Sequence, residues 1–169
     1  MPKYKPSLRM IQRIQSLLLL GVVILLTVNL FVPIWTNQGD SPLVTLTAFS
    51  ITSKGSGIAS ELIFFTKPSY YIGVLLCVCI ALTLLIIFRY NNRLLQLKLC
   101  NLLILLTLGI LGTYFIGISS AKELILKNAT NENYEIGYFL PILSSMLILA
   151  ARYFINKDEQ LVRSADRMR

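Results

Sequence analysis

The chain has 169 residues, a net charge of +8 and no histidine, and 55% of its residues are hydrophobic. The missing imidazole removes the commonest general base and metal ligand. The positive charges lie outside four long apolar stretches, so no basic stripe is available for nucleic acid. Because about 20 apolar helical residues cross a bilayer, we expect an all-α membrane protein with four transmembrane helices in a single domain over 1–169.

The first apolar stretch predicts a span over about 14–36. It follows a basic segment, as the core of a signal peptide does, but it is longer than a signal h-region. Its exit, Val-Pro-Ile-Trp-Thr at 32–36, offers no small-x-small cleavage site. We therefore interpret the segment as a retained signal anchor.

The loop after the first span, at 37–68, is the largest predicted piece outside the membrane. Apolar and polar residues alternate at 44–47, a Lys-Gly-Ser-Gly turn signal follows at 54–57, and an apolar run continues at 58–65. This pattern predicts a small hairpin within 40–67. A lone hairpin is marginally stable in water, so we expect it to lie on the membrane surface or against a partner.

The rest of the chain divides into three further spans, two connections and a tail. In the tail, Asn156 and Glu159 have capping-box spacing, and the apolar residues that follow recur at helical spacing, which predicts an amphipathic helix. The predicted boundaries are spans at about 69–88, 99–120 and 136–155, a link at 89–98, a loop at 121–135 and an amphipathic C-terminal helix at 157–168.

The distribution of charge predicts the orientation. Twelve of the sixteen Lys and Arg residues lie in the N-terminal segment, the 89–98 link and the C-terminal segment. Short cytoplasmic segments of membrane proteins carry such an excess. Both termini and the link are therefore expected in the cytoplasm, and the loops at 37–68 and 121–135 are expected on the outer side.

The predicted spans contain no feature that indicates catalysis or ion coupling. No Asp, Glu, Lys or Arg lies in the middle of a span, whereas proton relays and transport sites depend on such groups. Cys77 and Cys79 are separated by one residue, so a helix points them to different faces, and Cys100 lies near the opposite interface. We predict no catalytic, cofactor-binding or metal-binding residue, and we expect a protein that is not an enzyme.

One helix face in the third span is built for close packing. Gly109, Thr113 and Gly117 recur every four residues, and small residues at this spacing let another helix backbone approach closely. The sequence leaves open whether that helix belongs to this chain or to a partner. In the fourth span, Pro141 predicts a kink.

Two segments that flank the spans resemble the opening and closing signatures of a known family. They read Met-Ile-Gln-Arg-Ile-Gln-Ser at 10–16 and Asn-Lys-Asp-Glu-Gln-Leu-Val-Arg-Ser-Ala-Asp-Arg at 156–167. The chain resembles small four-span inner-membrane proteins of Bacteroidota that share a domain of unknown function. The resemblance implies the inner membrane of a Gram-negative bacterium, with outer loops in the periplasm, and transfers no catalytic role. Such proteins tend to begin at the first motif, so Met10 is an alternative start.

Both signatures are expected at the cytoplasmic face, and their order of residues is more specific than lipid anchoring requires. We expect the first signature to pack against the terminal helix, where charged residues form a network. This network either closes the bundle's own face or meets a partner. Together with the small-residue face, the candidate interaction residues are Gln12, Arg13, Gln15, Gly109, Thr113, Gly117, Asp158, Glu159, Arg163, Asp166 and Arg167.

The sequence thus favours a non-catalytic accessory subunit of a larger membrane complex, such as a protein-export or insertion machine. Its partners would be the lipid bilayer and other integral membrane subunits. The alternative is a small-molecule or lipid-binding transporter or channel-like protein, which the uncharged spans disfavour.

Overall fold

Four helices and one small sheet make up the described part of the chain. The computed structural model describes residues 6–37, 43–54, 63–89, 92–123 and 132–167, and at 6–13, 63–65, 123, 161–163 and 165–167 it describes the backbone alone. In chain order, the elements are α1 (Pro6–Asn29), β1 (Trp35–Asn37), β2 (Leu43–Leu46), β3 (Ser50–Lys54), β4 (Ile63–Pro68), α2 (Tyr70–Phe88), α3 (Arg93–Glu123), β5 (Glu132–Tyr134) and α4 (Ile136–Arg167).

The helices form an up-and-down bundle. Each helix packs against its neighbours in the chain, and α4 closes the ring by packing against α1. The buried side chains of the bundle, such as Leu26, Ile110 and Ile148, form one continuous hydrophobic core with the inner face of the sheet. Large apolar side chains such as Phe115 and Phe139 are exposed on the outside of the bundle. Helices that are apolar on their outer surface as well are typical of membrane proteins.

Three helices are long and apolar enough to cross a membrane. They are Tyr70–Phe88, Arg93–Lys122 and Ile136–Gln160. In α1 the apolar stretch within the described side chains is shorter, from Ile14 to Asn29. The prediction of membrane-spanning helices is therefore met by length and composition for α2, α3 and α4, and the first span, in α1, stays a prediction.

The first predicted span, at 14–36, is wrong over its last part. Helix α1 ends at Asn29, the backbone N–H of Val32 closes the final turn on Val28, and Pro33 cannot donate a helical hydrogen bond. Residues 35–37 then form β1. Their apolar character fits a buried strand as well as a helix, and this ambiguity is usual for short apolar runs.

The five strands form one antiparallel sheet in the order β4-β3-β2-β1-β5. The all-α prediction is therefore incomplete, and the predicted hairpin is part of a larger sheet. Strand β2 lies where the alternation at 44–47 placed it, but its partner is β3, reached through a tight turn in which the N–H of Thr47 donates to the Ser50 carbonyl at 2.9 Å. The segment at 63–68 pairs with β3 instead.

The sheet is joined to the helices through backbone groups. At the start of α2, the N–H of Ser69 donates to the Phe49 carbonyl and that of Gly73 to the Ala48 carbonyl, each at 2.9 Å. The turn between β2 and β3 thus accepts hydrogen bonds from backbone N–H groups at the start of α2. The first N–H groups of a helix need such acceptors outside the helix. The sheet is therefore joined directly to the start of α2.

A second backbone joint connects α4 to the segment after α1. The N–H of Glu135 donates to the Ile34 carbonyl at 3.1 Å, and that of Gly137 to the Pro33 carbonyl at 3.2 Å. A Cβ at Gly137 would lie 2.5 Å from the Pro33 carbonyl oxygen, so only glycine permits this approach. We call the end of the bundle that carries β1–β5 the sheet end. The opposite end, where α2 turns into α3 and α4 terminates, is the hairpin end.

The amphipathic C-terminal helix predicted at 157–168 is wrong as a separate element. Helix α4 runs without interruption from Ile136 to Arg167. Asn156, predicted as a cap, lies inside it, because the residues around it all have high or moderate helix propensity. Pro141 is also inside α4, and the Ser144 hydroxyl donates to its carbonyl at 2.9 Å.

Candidate interaction site at the hairpin end

An ion pair between α3 and α4 closes the hairpin end. Arg93 is the first residue of α3, and its Nη2 lies 3.2 Å from Oδ2 of Asp158 on α4. Its Nη1 also donates to the Asp158 backbone carbonyl at 3.2 Å. The Asp158 side chain is 2% exposed and that of Arg93 is 20% exposed. One guanidinium therefore holds two oxygens of the same residue, which fixes the register of the two helices.

A buried amide closes the turn between α2 and α3. Nε2 of Gln96 donates at 2.9 Å to the carbonyl of Ile86, which lies in the last turn of α2. Gln15 on α1 is also buried, and its Nε2 has no hydrogen-bond partner within the described structure. Oδ1 of Asp158 is likewise buried without one. The hairpin end thus contains a buried ion pair and two buried polar atoms, Gln15 Nε2 and Asp158 Oδ1, that have no hydrogen-bond partner in the described structure.

An open groove lies beside this closed cluster, between α3 and α4. It has a volume of about 330 Å³ and is lined by Leu97 from α3 and by Leu149, Arg152, Tyr153 and Asn156 from α4. Arg152, Tyr153 and Asn156 are exposed. Arg152 makes no ion pair with any residue of the described ranges. The groove therefore places the positive charge of Arg152 beside the apolar side chains of Leu97 and Leu149.

The structure describes the side chains of only some residues of the predicted charge network. Asp158 is buried and Glu159 is half-buried, while Gln15 faces the interior. The ion partner of Asp158 is Arg93, a residue that sequence reasoning used only for its effect on topology. Its spacing from Asp158 in the chain gives no local signal, because the contact depends on how α3 packs against α4. The side chains of Gln12, Arg13, Arg163, Asp166 and Arg167 lie outside the described residues, so their roles stay predictions.

The small-residue face of α3 is turned toward α2 and the sheet of the same chain. A Cβ at Gly117 would lie 3.2 Å from Leu46 Cδ2 and 3.3 Å from Ile72 Cδ1. At Gly109 the nearest atom would be 3.9 Å away, on α2, and the position is exposed. The Thr113 hydroxyl donates to the Ile110 carbonyl of its own helix at 2.7 Å. Close packing therefore occurs at Gly117, and the face opens toward Gly109.

A buried polar contact between α1 and α3 lies near the sheet end. Nδ2 of Asn29 donates to the Tyr114 hydroxyl at 2.6 Å, and both residues are fully buried. Oδ1 of Asn29 and both side-chain polar atoms of Asn37 are buried without a partner in the described structure. In the neighbouring joint, the Thr36 hydroxyl donates to Glu135 Oε1 at 2.8 Å. These side-chain hydrogen bonds connect α1 to α3, and β1 to the residue before α4.

The structure gives no joint chemical role to the three cysteines. Cys77, Cys79 and Cys100 are all free thiols, the first exposed and the other two buried. Within the described residues, no group of three or more Cys, Asp or Glu side chains is placed to hold a metal ion. The expectation that the protein has no catalytic, cofactor or metal site stays a prediction.

Comparison with known proteins assigns the chain to a family without assigning chemistry. The sequence profile of one family, described as Domain of unknown function (DUF4293), matches residues 11–168. The match thus runs from within α1 to just beyond the end of α4 and covers most of the chain. A comparison with curated proteins finds no match.

Proposed function

The chain belongs to the family described as Domain of unknown function (DUF4293), and from that premise we propose that it is a non-catalytic accessory subunit of a larger membrane complex. Its partners are other integral membrane subunits, for example those of a protein-export or insertion machine. It resides in the inner membrane of a bacterium of the Bacteroidota as a four-span protein, with the hairpin end in the cytoplasm and the sheet end in the periplasm.

One observation carries this proposal: the described sheet is joined to the helices and ends in two strands, β4 and β5, that each pair on one side only. It is held to the helix ends by backbone hydrogen bonds such as that between Gly73 and Ala48. Strands β4 and β5 each pair with a single strand, so their outer sides have no strand partner within the described sheet. An exposed sheet edge is a recurrent docking surface, since a partner can add a strand to it.

The character of the bundle supports a structural role. Within the described residues, no Asp, Glu, Lys or Arg side chain is buried midway along α2, α3 or α4, and the buried ion pair lies at the hairpin end. Buried polar side chains within the bundle, such as Thr83 and Ser144, bond to carbonyls of their own helices. A continuous polar path, which a coupled transporter needs, is not formed by the described residues.

The charge on the two ends supports the proposed orientation. Arg89, Lys98, Arg152 and Lys157 are all exposed around the hairpin end, as expected for the cytoplasmic side. At the sheet end, Lys122 is paired with Glu132 at 2.8 Å.

A transporter or channel-like protein that binds a small molecule or lipid is the alternative. The groove between α3 and α4 favours it, because it opens on the outer surface of the bundle and carries Arg152. Substrate-dependent flux into vesicles that contain the purified protein would support this alternative against the subunit proposal.

The subunit proposal is tested by isolating the tagged protein from its native membrane in mild detergent. Particle size and companion proteins are then measured by size-exclusion chromatography and mass spectrometry. We expect a particle much larger than one chain, with companions at fixed stoichiometry. A solitary monomer or homodimer would overturn the proposal.

A pair of variants tests the sheet edge itself. Thr66 is exposed on edge strand β4, and Thr66→Arg places a bulky charge there, which hinders strand addition. Ser119→Arg introduces the same side chain at an exposed position of α3 near the sheet end. We expect Thr66→Arg, but not Ser119→Arg, to release companions. Equal retention in both variants would exclude the β4 edge as the docking surface.

A further inference from the structure

We propose that the groove between α3 and α4 at the hairpin end binds an anionic glycerophospholipid. The headgroup phosphate is held by Arg152 and Asn156, and an acyl chain lies along Leu97 and Leu149. This site requires the chain to lie in a membrane but requires no protein partner. It is therefore independent of the subunit proposal.

The polarity of the groove changes along its length as that of a phospholipid does. Its α4 wall runs from Leu149 to Asn156, which is about 10 Å along a helix. Leu149 lies nearer the middle of the bundle, and Asn156 lies nearer the hairpin end. Tyr153, between them, is exposed, and tyrosine prefers the headgroup level of a bilayer. A lipid therefore fits with its headgroup toward the hairpin end.

Charge complementarity selects an anionic headgroup. Arg152 is exposed and makes no ion pair with a described residue. Lys98 and Lys157, which adjoin the lining residues Leu97 and Asn156 in sequence, are exposed as well. The described acids at this end are Asp158, buried against Arg93, and the half-buried Glu159. Basic pockets between helices on the cytoplasmic side of membrane proteins bind anionic lipid headgroups.

An arginine suits this role because it both donates to phosphate oxygens and lies along apolar surface. Its planar guanidinium matches two phosphate oxygens at once. Its aliphatic stem packs along apolar neighbours while the charge reaches the headgroup level. A volume of about 330 Å³ is enough for a headgroup and the first part of a chain, and the rest of the lipid would remain in the bilayer.

The test is a lipid titration of the purified full-length protein in detergent, followed by native mass spectrometry. The probes are phosphatidylglycerol and phosphatidylcholine of matched chains. We expect phosphatidylglycerol to bind with an apparent Kd about tenfold lower than phosphatidylcholine. In Arg152→Gln, its binding should weaken by about tenfold, since a charged hydrogen bond is lost, and the preference between the two lipids should disappear.

Arg89→Gln is the matched control. Arg89 is exposed at the same end of the bundle, but it follows α2 and does not line the groove. It removes the same charge, so we expect it to keep the wild-type Kd and preference. Arg152→Lys should keep the preference for phosphatidylglycerol with weaker binding, because lysine retains the charge without the planar fork.

Three results would overturn the proposal. Equal binding of phosphatidylglycerol by the wild type and Arg152→Gln would show that Arg152 holds no headgroup. An equal loss in Arg89→Gln would show nonspecific attraction to a basic surface. Complete displacement of the lipid by millimolar inorganic phosphate would identify a free anion as the occupant.

Folding of each variant is checked by its thermal unfolding midpoint. If Arg152→Gln shifts the midpoint, Leu149→Trp decides the matter, because it fills the groove from the apolar side and leaves Arg152 in place. Loss of phosphatidylglycerol binding in Leu149→Trp supports the site, and unchanged binding overturns it. A protein that is isolated as a monomer from its native membrane and still prefers phosphatidylglycerol would refute the subunit proposal and leave this one standing.

Discussion

The two ends of the bundle are closed in different ways. At the sheet end, backbone groups join the elements, as in the hydrogen bond from Gly137 to the Pro33 carbonyl. At the hairpin end, the main contacts come from side chains: Arg93 binds Asp158, and Gln96 binds the Ile86 carbonyl. A backbone joint tolerates many side-chain changes, whereas a side-chain joint depends on a few residues. We therefore expect the sheet end to keep its structure through many side-chain substitutions, whereas single substitutions should destabilise the hairpin end.

The largest expected effect comes from breaking the ion pair at the hairpin end. Arg93→Ala leaves the Asp158 carboxylate buried without its charge partner, so we expect the free energy of unfolding in detergent to fall by about 3 kcal/mol. Replacing both residues together with leucine should restore stability to within about 1 kcal/mol of the wild type, because an apolar pair needs no charge compensation.

An exposed ion pair at the sheet end provides the control. Lys122 and Glu132 lie 2.8 Å apart, with 44% and 33% of their side chains exposed. Lys122→Ala should cost less than about 1 kcal/mol. If it destabilises the protein as much as Arg93→Ala does, the contrast between the two ends is wrong.

The sheet end should be sensitive where a substitution forces backbone to move. Gly137→Ala places a Cβ 2.5 Å from the Pro33 carbonyl oxygen, so we expect a loss of about 1–3 kcal/mol. Gly112→Ala, whose added Cβ would meet no atom within 4 Å, should be neutral or stabilising by up to about 1 kcal/mol. Thermal unfolding of the two variants measures the difference, and equal midpoints would contradict the backbone joint.

The buried hydrogen bond between α1 and α3 should have an intermediate effect. Tyr114→Phe removes the hydroxyl that accepts from Asn29 and leaves a buried amide without its partner. We expect a loss of about 1–2 kcal/mol. Tyr138→Phe, whose ring lies 6.1 Å from that of Tyr114, removes a hydroxyl from a half-buried ring and should cost less. A larger cost for Tyr138→Phe would contradict this assignment.

Apart from the control substitutions, the smallest expected effect is at the turn between α2 and α3. Gln96→Leu keeps the buried volume but removes the hydrogen bond to the Ile86 carbonyl, so we expect a loss of about 1 kcal/mol. Amide hydrogen exchange should rise at 92–96 and remain unchanged at 43–54. Increased exchange in the sheet as well would show that the two ends are not closed independently.

The sequence predicted the helices well where apolar character and length agree. The predicted span at 69–88 corresponds to α2 at Tyr70–Phe88, because this segment is apolar on all sides and bounded by Pro68 and Arg89. The boundary at 36 failed, since Trp35–Asn37 carries no signal that separates a buried strand from a helix end.

The sheet was only partly predictable because two of its strands form through distant contacts. Alternation at 44–47 indicated β2. In contrast, β1 and β5 have three residues each and lie far apart in the chain, although they are paired in the sheet with Trp35 opposite Tyr134. Three residues show no period, and a pairing of such long range has no local signature.

The candidate site was likewise only partly predictable from the sequence. Asp158 was singled out from its motif, but its partner Arg93 and the groove around Arg152 arise from the packing of α3 on α4. Sequence spacing on one helix predicts which residues share a face. It does not predict which residue of another helix meets them.

The proposed orientation requires the two ends of the bundle to lie on opposite sides of a membrane. Cysteine labelling in spheroplasts tests this directly. In a background with Cys77, Cys79 and Cys100 replaced by alanine, Lys54→Cys places a thiol at the exposed last residue of β3, and Lys157→Cys places one at the hairpin end.

A membrane-impermeant maleimide should label Lys54→Cys in intact spheroplasts and Lys157→Cys only after the membrane is disrupted. Labelling of both positions in intact spheroplasts, or of Lys157→Cys alone, would contradict the account.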